Sequence, residues 1–237
     1  MLIDFHAQSK GISKCCQIDG KDMVLLTKNS GMDGVILTNH YDKSYLIEND
    51  ANEFAKRYTD DFYYVQKDGE KRGFKVYFGI EVTMAKHNNV HMLVYGVDCD
   101  FVLKYPNLYD YTQQELYELV HQNNGILVQA HPYRKGKDVL LDLNYLDGIE
   151  ANCHPIYDGT YLEKLYNMAV TNKKLLTCGG DFHNDTIRVK CGVYLNEDIK
   201  DTLEIVNYLI KSNEIKLCVQ EVGDSTSFDF CYKNTLI

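Results

Sequence analysis

Seven side chains of types that commonly bind metal ions stand in or directly after short apolar segments of the chain. They are His6, His40, Glu81, His91, His131, Asp181 and His183. Longer amphipathic segments separate these runs, a pattern typical of strands that alternate with helices. Because the carboxyl ends of parallel strands meet at one mouth of an α/β fold, we expect the seven side chains to converge there.

The apolar patterning predicts the individual elements. Strands are expected over residues 2–6, 34–39, 75–81, 90–97, 126–130, 148–152, 174–178, 189–195 and 215–219, and helices over 19–29, 52–67, 112–123, 159–172 and 198–212. The helix over 112–123 has the pattern of a capping box, with Thr112 at the N-cap and Glu115 three residues later. The segment 90–97 follows 75–81 closely enough to form a hairpin-like pair, and the tail 221–237 has no assigned element.

This arrangement favours a TIM-like α/β barrel over an open sheet. Candidate ligands come from nearly every strand, whereas an open doubly wound sheet gathers its ligands at one switch point. The 237 residues include only three prolines and no linker-like run, which predicts a single domain over residues 1–237. Neither a signal peptide nor an apolar run of about 18 residues is present, so no membrane association is expected.

The net charge and the cysteine content indicate which binding partners and which cellular compartment to expect for this protein. The net charge of −9 is the wrong sign for binding nucleic acid by neutralising phosphates, so no nucleic-acid partner is expected. The eight cysteines form no CxxC pair, which indicates reduced thiols in the cytoplasm. The oligomeric state cannot be deduced from these features.

The motifs favour chemistry based on metal ions. Neither GxGxxG nor GxxxxGK[ST] occurs, so the common phosphate-binding glycine loops are excluded, and a GxSxG nucleophile motif is also missing. Imidazoles and carboxylates in this number can hold two or three divalent metal ions, and zinc, manganese and iron all suit such ligands. Clusters of this kind commonly hydrolyse phosphate esters.

The order of the motifs DFHAQS, ILTNHYD, YFGIEVT, NVHMLVYG, VQAHPYR and GGDFH resembles the PHP (polymerase and histidinol phosphatase) superfamily. The resemblance covers the chain from residue 1 to about residue 195. It implies a distorted (β/α)7 barrel, a trinuclear metal site and phosphoesterase activity. The length is similar to that of the small stand-alone, histidinol phosphatase-like enzymes of this superfamily, and not to that of the domains embedded in DNA polymerases.

The resemblance also implies how the ligands are shared among the metals. Glu81 would bridge two ions, Asp181 and His6 would complete one of these sites, His91 and His131 the other, and His40 and His183 would bind a third ion.

Three positions depart from the family pattern. Gln8 replaces the second histidine of an HxH motif and could bind metal through its carbonyl oxygen, although an amide is a poorer ligand than imidazole. Lys14 stands eight residues after His6, where the family often has a ligand, and a charged lysine cannot ligate. Asn39 precedes His40 where the family has aspartate. A site with two metals, or with a weak third one, is therefore expected.

Three side chains are candidates for catalysis. Arg134, three residues after His131, could bind a substrate phosphate through its planar guanidinium, or could be an ordinary loop residue. Lys14 could supply a fixed positive charge in place of an absent metal. His154 could donate a proton to the leaving group, while its neighbour Cys153 fits a wall residue better than a nucleophile.

Together these features predict hydrolysis of a small phosphomonoester by a metal-activated hydroxide. An amidohydrolase-type hydrolysis of a carbon–nitrogen bond is a second interpretation. A third is a degenerate barrel that binds metal or a phosphorylated ligand without turnover, which Gln8, Lys14 and Asn39 favour. Nuclease activity on DNA is a fourth, against which the acidic charge argues.

Overall fold

The strands of the protein pair into two mixed sheets. The computed structural model describes residues 1–134, 139–183, 189–196 and 199–236. In chain order, the strands within these residues are β1 (Leu2–Ala7), β2 (Gly34–Leu37), β3 (His40–Tyr41), β4 (Lys75–Phe78), β5 (Ile80–Met84), β6 (Val90–Tyr95), β7 (Ile126–Gln129), β8 (Gly148–Asn152), β9 (Leu175–Gly179), β10 (Gly192–Tyr194), β11 (Glu214–Val219) and β12 (Phe228–Lys233). One sheet has the order β12-β11-β10-β1-β2-β4, and the other has the order β3-β5-β6-β7-β8-β9.

Helices lie in several of the connections between strands, as the sequence predicts. They are α1 (Gly20–Asn29), α2 (Ala51–Lys71), α3 (Cys99–Lys104), α4 (Gln113–Gln122), α5 (Leu162–Thr171) and α6 (Thr202–Lys211). The predicted capping box of Thr112 and Glu115 is confirmed at the start of α4. The helix expected over 198–212 begins only at Thr202, and Asp198 lies outside the described residues. Within the described part of the chain, none of the helices has both the length and the apolar character to cross a bilayer.

The predicted strand over 75–81 is divided at Gly79 into β4 and β5. A Cβ atom on Gly79 would lie 2.6 Å from Cγ2 of Ile36, so a side chain does not fit where the chain passes β2. The Gly79 N–H donates to Leu37 O at 3.1 Å, and the Glu81 N–H donates to Asn39 O at 3.1 Å. The strand predicted over 34–39 ends as β2 at Leu37, and β3 begins at His40, so both segments of the chain pass here from the first sheet into the second.

A second junction joins the sheets on the other side of β1. The Asp181 N–H donates to His6 O at 2.8 Å, and Ala7 forms an isolated parallel bridge with Phe182. Among the described residues, strand pairing nevertheless leaves two open sheets, so the fold is mixed α/β and the closed (β/α)7 barrel stays a prediction.

Two further features concern strand direction and the tail. β6 pairs antiparallel with both β5 and β7, which confirms the hairpin-like pair expected after residue 81. The tail that had no assigned element contains β12, which lies antiparallel to β11 at the edge of the first sheet. One cluster of buried apolar side chains, including Phe5, Leu93 and Leu176, contains residues from both sheets.

Candidate metal centre

The carboxylate of Glu81 lies at the centre of the predicted ligand group. Its side chain is completely buried in β5. Oε1 lies 2.8 Å from His91 Nδ1 and 3.3 Å from His131 Nε2. Oε2 lies 3.1 Å from His6 Nε2 and 3.1 Å from His40 Nδ1. One carboxylate therefore meets imidazoles from four separate segments of the chain.

Asp181 connects the remaining candidate to this group. Its Oδ1 lies 3.3 Å from His6 Nε2 and 3.4 Å from His183 Nδ1. Its Oδ2 lies 3.9 Å from His131 Nε2. The structure thus brings all seven candidate ligands together.

The donor atoms are spaced as ligands of divalent cations are. His6 Nε2, His40 Nδ1 and His91 Nδ1 are buried and have no hydrogen-bond partner among the described residues, although each faces a Glu81 oxygen. Two ligand atoms at about 2.0–2.2 Å from one ion are separated by about 3.0–3.6 Å. The nitrogen–oxygen separations of 2.8–3.3 Å around Glu81 are close to that range. The residues therefore fit a divalent metal.

Two groups of three donors share Glu81. His6, Glu81 and Asp181 form one, and His40, Glu81 and His91 form the other, with donor atoms within 4.8 Å of one another in each group. The resemblance assigned His40 to a third metal with His183. The structure places His40 beside Glu81 as well, at the boundary between two possible metal positions.

Burial and charge set the protonation states that metal binding requires. Burial raises the pKa of the Glu81 carboxyl, but the surrounding imidazoles of His40, His6 and His91 hold it well below its usual range. Burial lowers the pKa of His40 to about 4 and also lowers the pKa of His91. At neutral pH Glu81 is therefore a carboxylate and His40 and His91 are neutral, which are the forms that bind metal. Burial lowers the pKa of His6 and of His183, but the nearby carboxylates raise it overall, well above its usual value for His6 and to about 9 for His183, so these two imidazoles release a proton when a metal binds.

Two of the ligands have an unusual backbone conformation. His131 has φ of 29° and Asp181 has φ of 48°, both in the left-handed region. Such conformations in residues other than glycine cost about 1–3 kcal/mol and concentrate at functional sites. The Glu150 carboxylate holds one of them in place, because its Oε2 accepts the His131 N–H at 3.0 Å.

Glu150 is a functional residue that sequence reasoning missed. It is completely buried in β8, its Oε1 lies 2.8 Å from His6 Nδ1, and its Oε2 also accepts from Asn152 Nδ2 at 3.0 Å. The carboxylate keeps a hydrogen on Nδ1, so Nε2, which faces Glu81 at 3.1 Å, is the nitrogen of His6 that would bind a metal. The signal was the same as for Glu81, a carboxylate inside an apolar strand.

Gly179 allows β9 to approach His6 and Glu150. A Cβ atom at this position would lie 2.4 Å from His6 Cβ and 2.7 Å from Glu150 Oε1. Any side chain would displace one of these groups. The absence of a side chain at position 179 therefore allows His6 and Glu150 to occupy their observed positions.

Gln8 reaches the cluster but donates hydrogen bonds there. Its Nε2 donates to Glu81 Oε2 at 2.9 Å and to Asp181 Oδ1 at 3.2 Å. Its Oε1 accepts from the Cys15 thiol at 3.3 Å. In this orientation the amide nitrogen, which cannot bind a metal, faces the two carboxylates. The amide would have to rotate by half a turn to place its oxygen there as a metal ligand.

Asn39 has a structural position outside the ligand group. Its Oδ1 accepts from the Ser9 N–H at 2.7 Å and from Ser13 Oγ at 3.0 Å. Its Nδ2 donates to Asp61 Oδ2 at 2.9 Å. The asparagine thus ties the loop after β1 to the end of β2 and to α2.

A cavity of roughly 590 Å³ opens over the ligands. It is lined by Cys15, His40, His91, Arg134, His154, Ile156, Tyr157 and His183. Two of the three candidate catalytic residues, Arg134 and His154, are in this lining. Lys14 is exposed, donates to Ser44 O at 2.7 Å and lies 4.6 Å from the Tyr45 ring centre, so the structure does not bring it to the cluster.

Tyr157 links the cavity wall to the ligands. Its hydroxyl donates to Asp181 Oδ2 at 2.5 Å and accepts from Arg134 Nη1 at 3.5 Å. Burial, with the carboxylate of Asp181, raises the pKa of Tyr157 far above its usual range, so the hydroxyl keeps its proton. No motif in the sequence marked this residue.

His154 presents one ring nitrogen to the cavity as a neutral donor. Its Nδ1 accepts from the Ile156 N–H at 3.1 Å, so the hydrogen of the neutral ring is on Nε2. Burial lowers the pKa of His154 to about 4, so the ring is uncharged at neutral pH.

Comparison with known proteins gave structural matches only. No protein-family model and no curated protein sequence matches the chain. Among solved structures, a candidate metal-dependent phosphoesterase from Bifidobacterium adolescentis has 16% identity and a TM-score of 0.55, over 88% of this chain and 95% of that chain. A two-domain protein from Bacteroides vulgatus that contains a predicted PHP-like metal-dependent phosphoesterase has 14% identity and a TM-score of 0.58, over 92% of this chain and 58% of that chain. The chain shares the fold of these two structures.

An amidohydrolase from Chromobacterium violaceum, solved with bound sulfate and no metal, is similar at 14% identity with a TM-score of 0.58, over 87% of this chain and 96% of that chain. At these identities the similarity concerns the fold alone. In this chain the fold brings seven candidate ligands together, Glu81 among them, and the reaction has to be argued from those residues.

Proposed function

We propose that this protein is a metal-dependent phosphoesterase of the PHP superfamily that hydrolyses a small phosphomonoester. The observation that carries the proposal is the buried Glu81 carboxylate, which lies within 3.3 Å of four imidazole nitrogens. A buried carboxylate beside several buried imidazoles is costly unless a cation or protons compensate its charge. A centre of two or three divalent metal ions explains this arrangement with the fewest assumptions.

The fold is part of this proposal. We infer that the two sheets together form the distorted (β/α)7 barrel, because backbone hydrogen bonds cross both junctions between them, at Gly79 and at Asp181. Such a barrel would gather the ligands at one mouth.

The chain itself would hold the metals and the substrate. His6, Glu81 and Asp181 would hold one ion, and Glu81 with His91 and His131 would hold another. Zinc, manganese and iron suit these donors. Divalent cations at such a centre lower the pKa of water towards neutrality and neutralise charge on the phosphoryl oxygens.

Two side chains in the cavity wall would act on the substrate. Arg134 is half-buried beside Tyr157, and its guanidinium would pair with phosphate oxygens and keep the phosphoryl group over the ligands. The His154 Nε2–H would donate a hydrogen bond to the leaving-group oxygen, because its neutral ring holds that hydrogen. Tyr157 would orient Asp181 through the 2.5 Å hydrogen bond to Oδ2.

The size of the cavity supports a small substrate. A volume of roughly 590 Å³ is in the range of pockets for small molecules. Ile156 in its lining is 71% exposed, which offers an apolar surface to the group esterified to the phosphate. A nucleic-acid partner is not proposed, because the net charge is −9.

Two other functions have support from single observations. The similarity to the Chromobacterium violaceum amidohydrolase favours hydrolysis of a carbon–nitrogen bond as an alternative. Binding without turnover is favoured by Gln8, whose amide donates to both carboxylates and thereby satisfies them without a metal.

The test is a substrate panel on metal-loaded protein. Metal-free protein is loaded in turn with zinc, manganese and iron, and p-nitrophenyl phosphate is compared with amide and lactone substrates. We expect hydrolysis of the phosphomonoester, its loss on adding a chelator, and its loss in Glu81→Gln but not in the exposed control Glu118→Gln. Faster hydrolysis of amides would favour the alternative, and bound metal without any turnover would refute an enzymatic role.

A further inference from the structure

A third group of donor atoms lies at the mouth of the cavity. Ligand atoms of Cys15, His40 and His183 lie within 4.8 Å of one another. Cys15 belongs to the loop between β1 and α1, His40 begins β3, and His183 follows β9. Three distant segments of the chain thus bring one thiol and two imidazoles together.

The position of Cys15 is related to a departure that the sequence shows. The family pattern expects a ligand at position 14, and Lys14 occupies it. The Lys14 ammonium lies on the outside of the loop, on Ser44 O and the Tyr45 ring. The next side chain, Cys15, is also solvent-exposed but lies on the side of the loop that faces the cavity, because its thiol donates to Gln8 Oε1 at 3.3 Å and lines the cavity. The side chain at position 15, and not the one at position 14, therefore faces the cavity, and it offers a thiol there instead of an ammonium group.

The two imidazoles support a metal site independently of the cysteine. His40 is only 8% exposed, its Nδ1 faces Glu81 Oε2 at 3.1 Å without a hydrogen-bond partner in the described part of the chain, and one of its ring nitrogens lies within 4.8 Å of the Cys15 and His183 donor atoms. His183 is oriented by Asp181, whose Oδ1 lies 3.4 Å from its Nδ1. Two oriented histidines beside a thiol form a donor set with one sulfur and two nitrogens, which suits zinc and other thiophilic ions.

We propose that Cys15 binds a thiophilic divalent cation together with His40 and His183, as a sulfur ligand that the family pattern does not contain. The proposal rests on the metal centre of the proposed function. Binding requires the thiolate, so the Cys15 proton passes to solvent as the sulfur–metal bond forms. Three protein ligands are typical of zinc sites that keep one position open, and here that position would face the cavity.

The experiment uses cobalt as an optical probe in the full-length protein. Metal-free protein is titrated with Co²⁺, the sulfur-to-cobalt charge-transfer band in the near ultraviolet is recorded, and bound metal per chain is measured by elemental analysis. The variants are Cys15→Ser, Cys15→His and Cys231→Ser, the last being a control because Cys231 is also an exposed, free thiol but lies on β12. Circular dichroism checks that each variant is folded.

The expected results distinguish metal binding by the Cys15 thiol from metal binding by the other candidate ligands. Wild type and Cys231→Ser show the charge-transfer band. Cys15→Ser loses the band and binds one metal ion fewer per chain, and Cys15→His regains the ion without the band. The proposal is wrong if the wild type binds cobalt without a sulfur band, or if Cys15→Ser keeps both the band and the full metal content.

Activity distinguishes this proposal from the proposed function. Hydrolysis of p-nitrophenyl phosphate by a protein without a sulfur–cobalt band would overturn the role of Cys15 alone. A sulfur–cobalt band in a protein that hydrolyses no phosphomonoester would uphold the Cys15 site and overturn the proposed function.

Discussion

Glu150→Gln tests whether the buried carboxylate behind the ligands organises the metal centre. One oxygen of Glu150 faces His6 Nδ1 at 2.8 Å, and the other accepts from the His131 N–H and from Asn152 Nδ2, both at 3.0 Å. All three partners present hydrogens to the carboxylate when His6 has its hydrogen on Nδ1. The glutamine has nearly the same shape but only one acceptor oxygen.

The expected loss of zinc affinity can be estimated from the hydrogen-bond donor that loses its acceptor in Glu150→Gln. If the amide oxygen turns to His6, the amide hydrogens oppose the His131 N–H. If the oxygen turns to His131, they oppose His6 Nδ1. A buried donor left unsatisfied costs about 1–3 kcal/mol, which is about 5- to 150-fold in an equilibrium constant. Loss of a carboxylate partner of a ligating histidine weakens metal binding by about 10- to 100-fold. We therefore expect zinc affinity to fall by about 10- to 100-fold in Glu150→Gln.

The assay is competition for zinc with a chromophoric chelator, on wild type, Glu150→Gln and the exposed control Glu118→Gln. The control carries the same change of charge on the outer face of α4, so it should bind zinc as the wild type does. Urea unfolding of the metal-free proteins measures any general loss of stability separately. An affinity of Glu150→Gln within about twofold of the control would refute the reasoning, because it would mean that His6 needs no carboxylate behind it.

Three further predictions concern separate parts of the structure. Gly179→Ala should destabilise the metal-free protein by about 1–3 kcal/mol in urea unfolding, because its methyl group would overlap His6, and unchanged stability would contradict this. Arg134→Ala should raise KM for a phosphomonoester by about 10- to 150-fold, from charge-assisted hydrogen bonds of about 1.5–3 kcal/mol, without changing metal content; an unchanged KM would exclude Arg134 from phosphate binding. The hydrogen bond that His121 donates to the Asp147 carboxylate raises the pKa of His121, so this pair should stabilise the fold fully below the unfolded pKa of about 6.5 and lose its effect as pH rises through the raised pKa. His121→Gln should therefore lower the free energy of unfolding of the metal-free protein at about pH 6, and should leave it unchanged at high pH. The loss should be less than about 1 kcal/mol, because the His121 side chain is 42% exposed. An equal loss at both pH values in urea unfolding would contradict this prediction.

Local patterns in the sequence were sufficient to find the seven candidate ligands that the structure brings together. Each of them combines a side chain of a metal-binding type with a short apolar run, and strand patterning predicts that such residues meet at a common mouth. The capping box at Thr112 and the hairpin after Glu81 were also predictable, since both depend on residues that are neighbours along the chain. Glu150 could have been found by the same reasoning that identified Glu81.

Contacts between distant segments decided the remaining features. Lys14 and Cys15 are adjacent in sequence, and only the path of the loop between β1 and α1 determines that the thiol lies inside and the ammonium outside. Tyr157 became part of the site through its hydrogen bond to Asp181, 24 residues away. The left-handed backbone of His131 and Asp181 likewise depends on the packing around them.

The sequence by itself therefore determined which residue types can bind metal and that they stand in or directly after apolar strand segments, because periodicity and local hydrogen bonding act over a few residues. The tertiary structure decided which donors share the Glu81 carboxylate, which side of a loop faces the cavity, and how the sheets meet. These depend on the three-dimensional distances between segments that are far apart in the chain, and a local pattern carries no information about such distances.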